Sequence, residues 1–191
     1  IACYDLASKS KKLPLYNYLG GKINKKIYTD YTVSLNDVDK MVEQAEQIVK
    51  KGFKIIKVKL GDNGKKDIER IKHIRKCIGD DKQIRIDANQ GWNIEEAIDT
   101  LKNIDKYNIE YCEEPINRDL SFRLNEVKES SPVKIMADES LFTSYDAEMM
   151  VHGNHCDMFN LKIGKHGGLF ETKKIVSIAE ENNIPVSYTH L

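Results

Sequence analysis

From about residue 27 the hydrophobic and polar positions of the chain fall into a repeating rhythm. A short β-branched run is followed by turn residues, then by a charged amphipathic stretch, and the cycle begins again. The runs predict strands at 26–34 (KIYTDYTVS), 54–60 (KIIKVKL), 84–88 (IRIDA), 109–114 (IEYCEE), 133–139 (VKIMADE), 157–163 (DMFNLKI) and 184–188 (IPVSY). The amphipathic stretches between them predict helices over 36–51, 65–78, 93–107, 120–129, 144–151 and 169–182. Asn36 and Asn93 stand where N-caps are wanted, with acidic residues in the following turn, and Gly52 stands where a helix must stop. Residues 1–25 do not follow the rhythm. They read as a helix, a break at Pro14 and a short turn leading into the first strand.

Strict alternation of strands and helices argues for an α/β fold with a parallel sheet. A repeat of about 25 residues suits a (β/α) barrel or a doubly wound sheet. The dinucleotide fingerprint G-x-G-x-x-G follows none of the strands, which weighs against the second.

One strand poses a chemical problem. In KIIKVKLG, Lys57 and Lys59 are two residues apart and share a face, where two ammonium groups repel unless something compensates them. The polar residues nearest the C-terminal strand ends supply the compensation. Thr32, Lys57 with Lys59, Asp87, Glu113, Asp138 and Lys162 follow one another at 24 to 28 residues, one β–α unit per step. In a barrel these positions form the rim where active sites are built. Three carboxylates on consecutive strand ends would raise one another's pKa unless a cation joined them, and an all-oxygen donor set suits Mg²⁺. Lys57 and Lys59 then flank the negative centre on one side and Lys162 on the other. Crowding and burial are expected to lower a lysine pKa, and a divalent ion between two amine bases is an arrangement for removing and returning a proton beside a carboxylate, through an enediolate.

Composition narrows the classes. With 191 residues, 40% of them hydrophobic, the chain holds one sizeable core. Lys+Arg and Asp+Glu both number 30, so no basic excess points to nucleic acid or a membrane surface. No apolar run approaches a membrane span. Cys3, Cys77, Cys112 and Cys156 lack metal-site spacing and are expected to be free thiols in a reducing cytoplasm. Three segments carry competing readings. DANQGW (87–92) would serve equally as an ordinary turn before a helix. In CEEP, Glu113 and Glu114 compete, and Glu113 keeps the better spacing. GKHGG (164–168) is read as a strand-to-helix connection rather than a phosphate loop. His73, His152, His155, His166 and His190 show no ligand pairing and are expected in loops or at the surface, with His166 near the site.

In their order and spacing, KVKLG, RIDANQGW, CEEPI, MADES and NLKIGKHGG resemble the enolase superfamily, more narrowly its muconate-lactonizing-enzyme subgroup. TDYTVSL and MADESLFT look most like the dipeptide epimerases of the L-Ala-D/L-Glu type. The resemblance implies a partial TIM-type (β/α) barrel of about seven strands over residues 26–191, with residues 1–25 as the last helix of a capping domain and its exit. It implies Asp87, Glu113 and Asp138 as Mg²⁺ ligands, and Lys59 and Lys162 as bases on opposite faces of the substrate. Lys57 would contact the substrate carboxylate and Thr32 the substrate. The partner implied is a small-molecule dipeptide, with room for a homo-oligomer. Family members are longer, with a capping domain ahead and an eighth strand behind, so the chain is expected to be part of a longer protein. YTHL departs from the Gly-Ser-Met-x-Glu-like turn expected after Ser187. The alternatives are a cycloisomerase or dehydratase of the same superfamily (muconate cycloisomerase or o-succinylbenzoate synthase type), or a truncated barrel that binds metal or a partner without catalysing.

Overall fold

The computed structural model describes residues 1–21 and 28–188. The start of the predicted first strand, the segment before it, His190 and the rest of 189–191 lie outside the described residues. Seven parallel strands hydrogen-bond in chain order: β1 (Tyr31–Val33), β2 (Ile55–Lys59), β3 (Gln83–Asp87), β4 (Ile109–Glu113), β5 (Lys134–Ala137), β6 (Met158–Leu161) and β7 (Val186–Tyr188). The connecting helices are α3 (Val38–Lys50), α4 (Gly64–Ile78), α5 (Ile94–Ile104), α6 (Leu124–Ser130), α7 (Ser144–His152) and α8 (Leu169–Glu181). The sheet and its helices form a partial TIM-type barrel. Ahead of it stand α1 (Ala2–Ser10) and the single turn α2 (Leu15–Tyr18), separated at Pro14.

Strand alternation sets the layers. Ile56 and Val58 of β2, Ile84 and Ile86 of β3, Cys112 of β4 and Phe159 of β6 are fully buried in one cluster with Met41, Ile71, Ile74 and Leu101 of the helices. Each such aliphatic or aromatic side chain contributes about 1.5–3 kcal/mol through burial. Their neighbours one residue on, Lys57, Arg85, Asp87, Glu113 and Asn160, are left for the opposite face. Register carries them into line: Thr32 opposes Lys57, Lys59 opposes Asp87, and Asp87 opposes Glu113.

Local chemistry adjusts the expected boundaries. Asn93 caps α5 by accepting from Glu96 N at 2.9 Å. Asn36 does not cap α3. Asp37 takes that position, and the Asn36 side chain instead accepts from Asp37 N at 2.9 Å while its carbonyl is held by Arg70. The segment 93–107 ends as a 3₁₀ turn, Asp105–Tyr107, because the Arg75 guanidinium draws in the carbonyls of Tyr107 and Asn108 at 2.9 and 3.1 Å. Helix 120–129 likewise begins as 3₁₀ (Arg118–Arg123), started by Asn117 accepting from Asp119 N. Gly52 adopts φ +91° beyond α3, the left-handed stop expected of it. All four cysteines are free. Among the described residues no helix is long and apolar enough to cross a membrane.

Candidate active site

The C-terminal strand ends gather acids and amines. Asp87, Glu113 and Asp138 are each 1% exposed. Lys57 Nζ lies 2.9 Å from Asp87 Oδ2 and 2.5 Å from Glu113 Oε2. Lys59 Nζ donates to Asp87 Oδ2 and to Asn89 Oδ1, both at 2.7 Å. On the far flank Lys162 donates to Asp138 Oδ2. Lys165 donates at 2.6 Å to Asp138 Oδ1 and to its carbonyl, and at 3.0 Å to Asn160 O. Asn160 Nδ2 reaches Glu113 Oε1 at 2.6 Å. The repulsion between the two lysines of β2 is thus offset by carboxylates on β3 and β4. Thr32, on the edge strand, lines a cavity of about 400 Å³ together with Lys57, Glu113, Asp30, Arg85 and Tyr111.

The charges are unevenly balanced. Burial, the Asp87 charge and a hydrogen bond with Asp138 push Glu113 up to about 8, against the pull of Lys57. Burial acts the same way on Asp138, but the hydrogen bond from Glu113 and the Lys165 and Lys162 amines outweigh it and hold it well below the usual range. The lowered lysine pKa expected from crowding is reversed at two positions. Burial lowers Lys57 and Lys162, yet Glu113 and Asp87 for the first and Asp138 for the second raise them above the ordinary value. Lys165 is lowered, by burial.

Among the described residues no three His, Cys, Asp or Glu side chains close around one metal position. Lysine amines stand against the carboxylates instead. The residues fit Mg²⁺ on their chemistry: three buried carboxylates on consecutive strands form an all-oxygen set.

Neighbouring residues hold this arrangement in place. Glu114, at φ +38°, turns away from Glu113 and accepts from Asp138 N at 2.7 Å, Ser140 N at 3.2 Å and Ser140 Oγ. Burial pushes its carboxyl up to about 7. His155 and His166 lie in loops, as expected, but are buried there rather than at the surface. His155 sits under Gly153, where a Cβ would strike its ring. His166 folds into the turn after β6, with Nδ1 2.9 Å from Phe142 O and Nε2 accepting from Lys162 N at 3.3 Å. The remainder of GKHGG connects β6 to α8, with Gly167 and Gly168 at φ +72° and +115°. Sequence reasoning missed Asn89, Asn160 and Lys165. Asn160 carried a signal, standing two residues before Lys162 within the predicted strand 157–163. Lys165 carried none, because it lies in a turn whose course is set by tertiary contacts.

Residues 40–190 match the family described as enolase C-terminal domain-like. A D-Ala-D/L-Ala epimerase of Cytophaga hutchinsonii is 48% identical over 97% of this chain and 50% of its own length. An L-Ala-D/L-Glu epimerase of Clostridium acetobutylicum is 41% identical over 94% of this chain and 51% of its own. The crystal structure of a dipeptide epimerase from Cytophaga hutchinsonii, complexed with Mg and the dipeptide D-Ala-L-Val, aligns with a TM-score of 0.97 at 48% identity, covering 98% of this chain and 51% of that one. The chain spans about half the length of the curated relatives it matches.

Proposed function

The chain belongs to the enolase C-terminal domain-like family, and on that premise we propose that the whole protein is a magnesium-dependent dipeptide epimerase working through two lysine bases. The observation that carries the reading is the pair of amines, Lys59 and Lys162, on opposite flanks of three buried carboxylates. Asp87, Glu113 and Asp138 would hold Mg²⁺, which when bound supplies charge stabilisation at the substrate carboxylate. Lys57 and Thr32 orient that carboxylate and its substrate. Lys59 takes or returns the α-proton on one face, Lys162 on the other. Residues 1–25 are the end of a capping domain and residues 26–191 the catalytic barrel. In support, a Cβ on Gly168, beyond the end of β6, would lie 3.7 Å from Ile1, so the start of α1 is near the rim.

The two relatives named above act on dipeptides of different side chain and stereochemistry, so the reacting dipeptide is the variable to scan. The test is to incubate the full-length protein with a panel of dipeptides in D₂O and Mg²⁺ and follow α-proton exchange and stereoisomer ratio by NMR. Exchange at one α-carbon with inversion is expected. No exchange with any dipeptide would overturn the reading, and a ring-closed or dehydrated product from an acid substrate would turn it toward a cycloisomerase or dehydratase.

A further inference from the structure

We infer that Asp67, on α4 and outside the acid–amine cluster, is a positioning residue for Lys59, locking the loop after β2 onto the loop after β3. The inference rests on the reading of Lys59 as a base.

Asp67 is fully buried. A buried carboxylate is costly unless its oxygens are satisfied, and here the donors that satisfy it come from both loops. Its Oδ2 accepts from Gly61 N in the first loop and from Trp92 Nε1 in the second, each at 3.0 Å. Its Oδ1 accepts from Arg70 Nη1 at 2.6 Å, and Arg70 is itself held by Asn36 O at 3.1 Å. Where Gly61 meets Ala88 and Gly91, backbone lies directly against backbone. A Cβ on Gly91 would collide with the Gly61 carbonyl, and one on Gly61, at φ +100°, would collide with the Ala88 carbonyl. Glycine lets the two strands' extensions touch. The β2–β3 ladder sets their register as far as Leu60 N, which donates to Asp87 O at 2.8 Å, and beyond it the shared carboxylate ties Gly61 to Trp92.

The loop beyond the ladder is where one of the two partners of the Lys59 amine, Asn89, sits. Lys59 ends β2 two residues before Gly61, and the groups that hold its amine, Asp87 and Asn89, belong to the other side of the seam. Its side chain is a third exposed, so packing alone does not wedge it in place. Lys162 stands on another part of the barrel, held by Asp138 and His166. Loosening the seam therefore disturbs one base and spares the other. A misplacement of about 1 Å at a reacting group costs on the order of 10²-fold in rate.

The experiment uses the full-length protein and measures α-proton exchange into each stereoisomer separately. Asp67→Asn keeps the shape, and its one oxygen goes to the charged Arg70 donor, which sets the amide N–H₂ against Gly61 N and Trp92 Nε1. It is expected to slow exchange on the Lys59 face about 10- to 100-fold, with KM little changed and the Lys162 face within about threefold of wild type. Trp92→Phe removes one loop donor and keeps a ring, and is expected to give a smaller loss on the same face. If Asp67→Asn does not fold, Trp92→Phe decides alone: a one-sided loss supports the inference and no loss overturns it. Equal slowing of both faces, or lowered stability with both exchange rates intact, overturns it while leaving the epimerase reading standing. A wild-type protein that exchanges no dipeptide overturns both.

Discussion

Lys57 and Lys59 share one oxygen: their Nζ atoms lie 2.9 and 2.7 Å from Oδ2 of Asp87. Two like charges on one strand face are stable there because a buried carboxylate stands between them. The dependence runs both ways. Lys57, 11% exposed, also neutralises Glu113, so its loss would leave buried Glu113 without an amine and Asp87 with Lys59 alone.

Lys57→Met in the full-length protein is therefore expected to cost about 3–5 kcal/mol of stability in chelator, the penalty for removing one partner of a buried pair. Added Mg²⁺ should restore part of it. Urea denaturation with and without metal measures both. A variant as stable as wild type in chelator would mean that Lys57 is not the countercharge.

Glu113 and Glu114 should separate cleanly. Glu113→Gln, like Asp87→Asn and Asp138→Asn, is expected to weaken Mg²⁺ binding at least about tenfold by calorimetry. Glu114→Gln should leave that affinity within about threefold, yet lower stability by about 1–3 kcal/mol through the hydrogen bonds to Asp138 N and Ser140. In wild type, Mg²⁺ at about 100 times its dissociation constant should add about 2.7 kcal/mol. The absence of any Mg²⁺-dependent stabilisation would remove the carboxylates from a metal role.

The barrel and the strand-end positions were legible because two periods coincide in the sequence. Residue alternation assigned Lys57, Asp87 and Glu113 to one face, and the β–α repeat brought them to one rim. What the sequence concealed depends on contacts between distant segments. Asp67 reads as an ordinary acid in a first helical turn, and only the fold brings Gly61 and Trp92 to it. Asn36 looks like an N-cap until Arg70 takes its carbonyl. His166 reads as a loop residue until the turn after β6 folds its ring beneath Lys162 N. The sign of the Lys57 and Lys162 pKa shifts was misjudged for a related reason. Burial was legible, but the 2.5 Å approach of Lys57 to Glu113 was not.

His166 predicts an acid sensitivity. With Nδ1–H donating to Phe142 O, Nε2 is free to accept from Lys162 N, which an imidazolium could not do. Burial lowers its pKa below the unfolded value of about 6.5. The folded state then binds the proton less readily than the unfolded one. Its contribution is full above about pH 6.5 and declines as pH falls from there toward the folded pKa. His166→Phe should reduce the loss of stability between about pH 6.5 and 5, measured by denaturation at each pH, and should slow exchange on the Lys162 face more than on the Lys59 face. An unchanged acid limb would place the sensitivity elsewhere.

The two-base assignment gives the sharpest test. Epimerisation takes a proton from one face of the α-carbon and delivers one to the other, and a single amine cannot reach both faces unless the substrate turns over. Lys59 ends β2 and Lys162 follows β6, with the three carboxylate-bearing strands β3, β4 and β5 ordered between them. The two amines therefore approach from opposite flanks, each already hydrogen-bonded to a different acid, Asp87 or Asp138. Lys59→Ala is expected to abolish epimerisation while Lys162 still exchanges the α-proton of one stereoisomer with D₂O. Lys162→Ala should leave exchange in the other isomer only. Loss of a general base typically costs about 10²–10⁴-fold, and net inversion should fall further because it needs both. Removing one amine also takes one of two countercharges from its carboxylate partner, Asp87 or Asp138, so each variant should be checked for retained Mg²⁺ affinity before its rate is read. If either variant, with metal bound, still exchanges both stereoisomers at similar rates, one lysine per face is the wrong assignment.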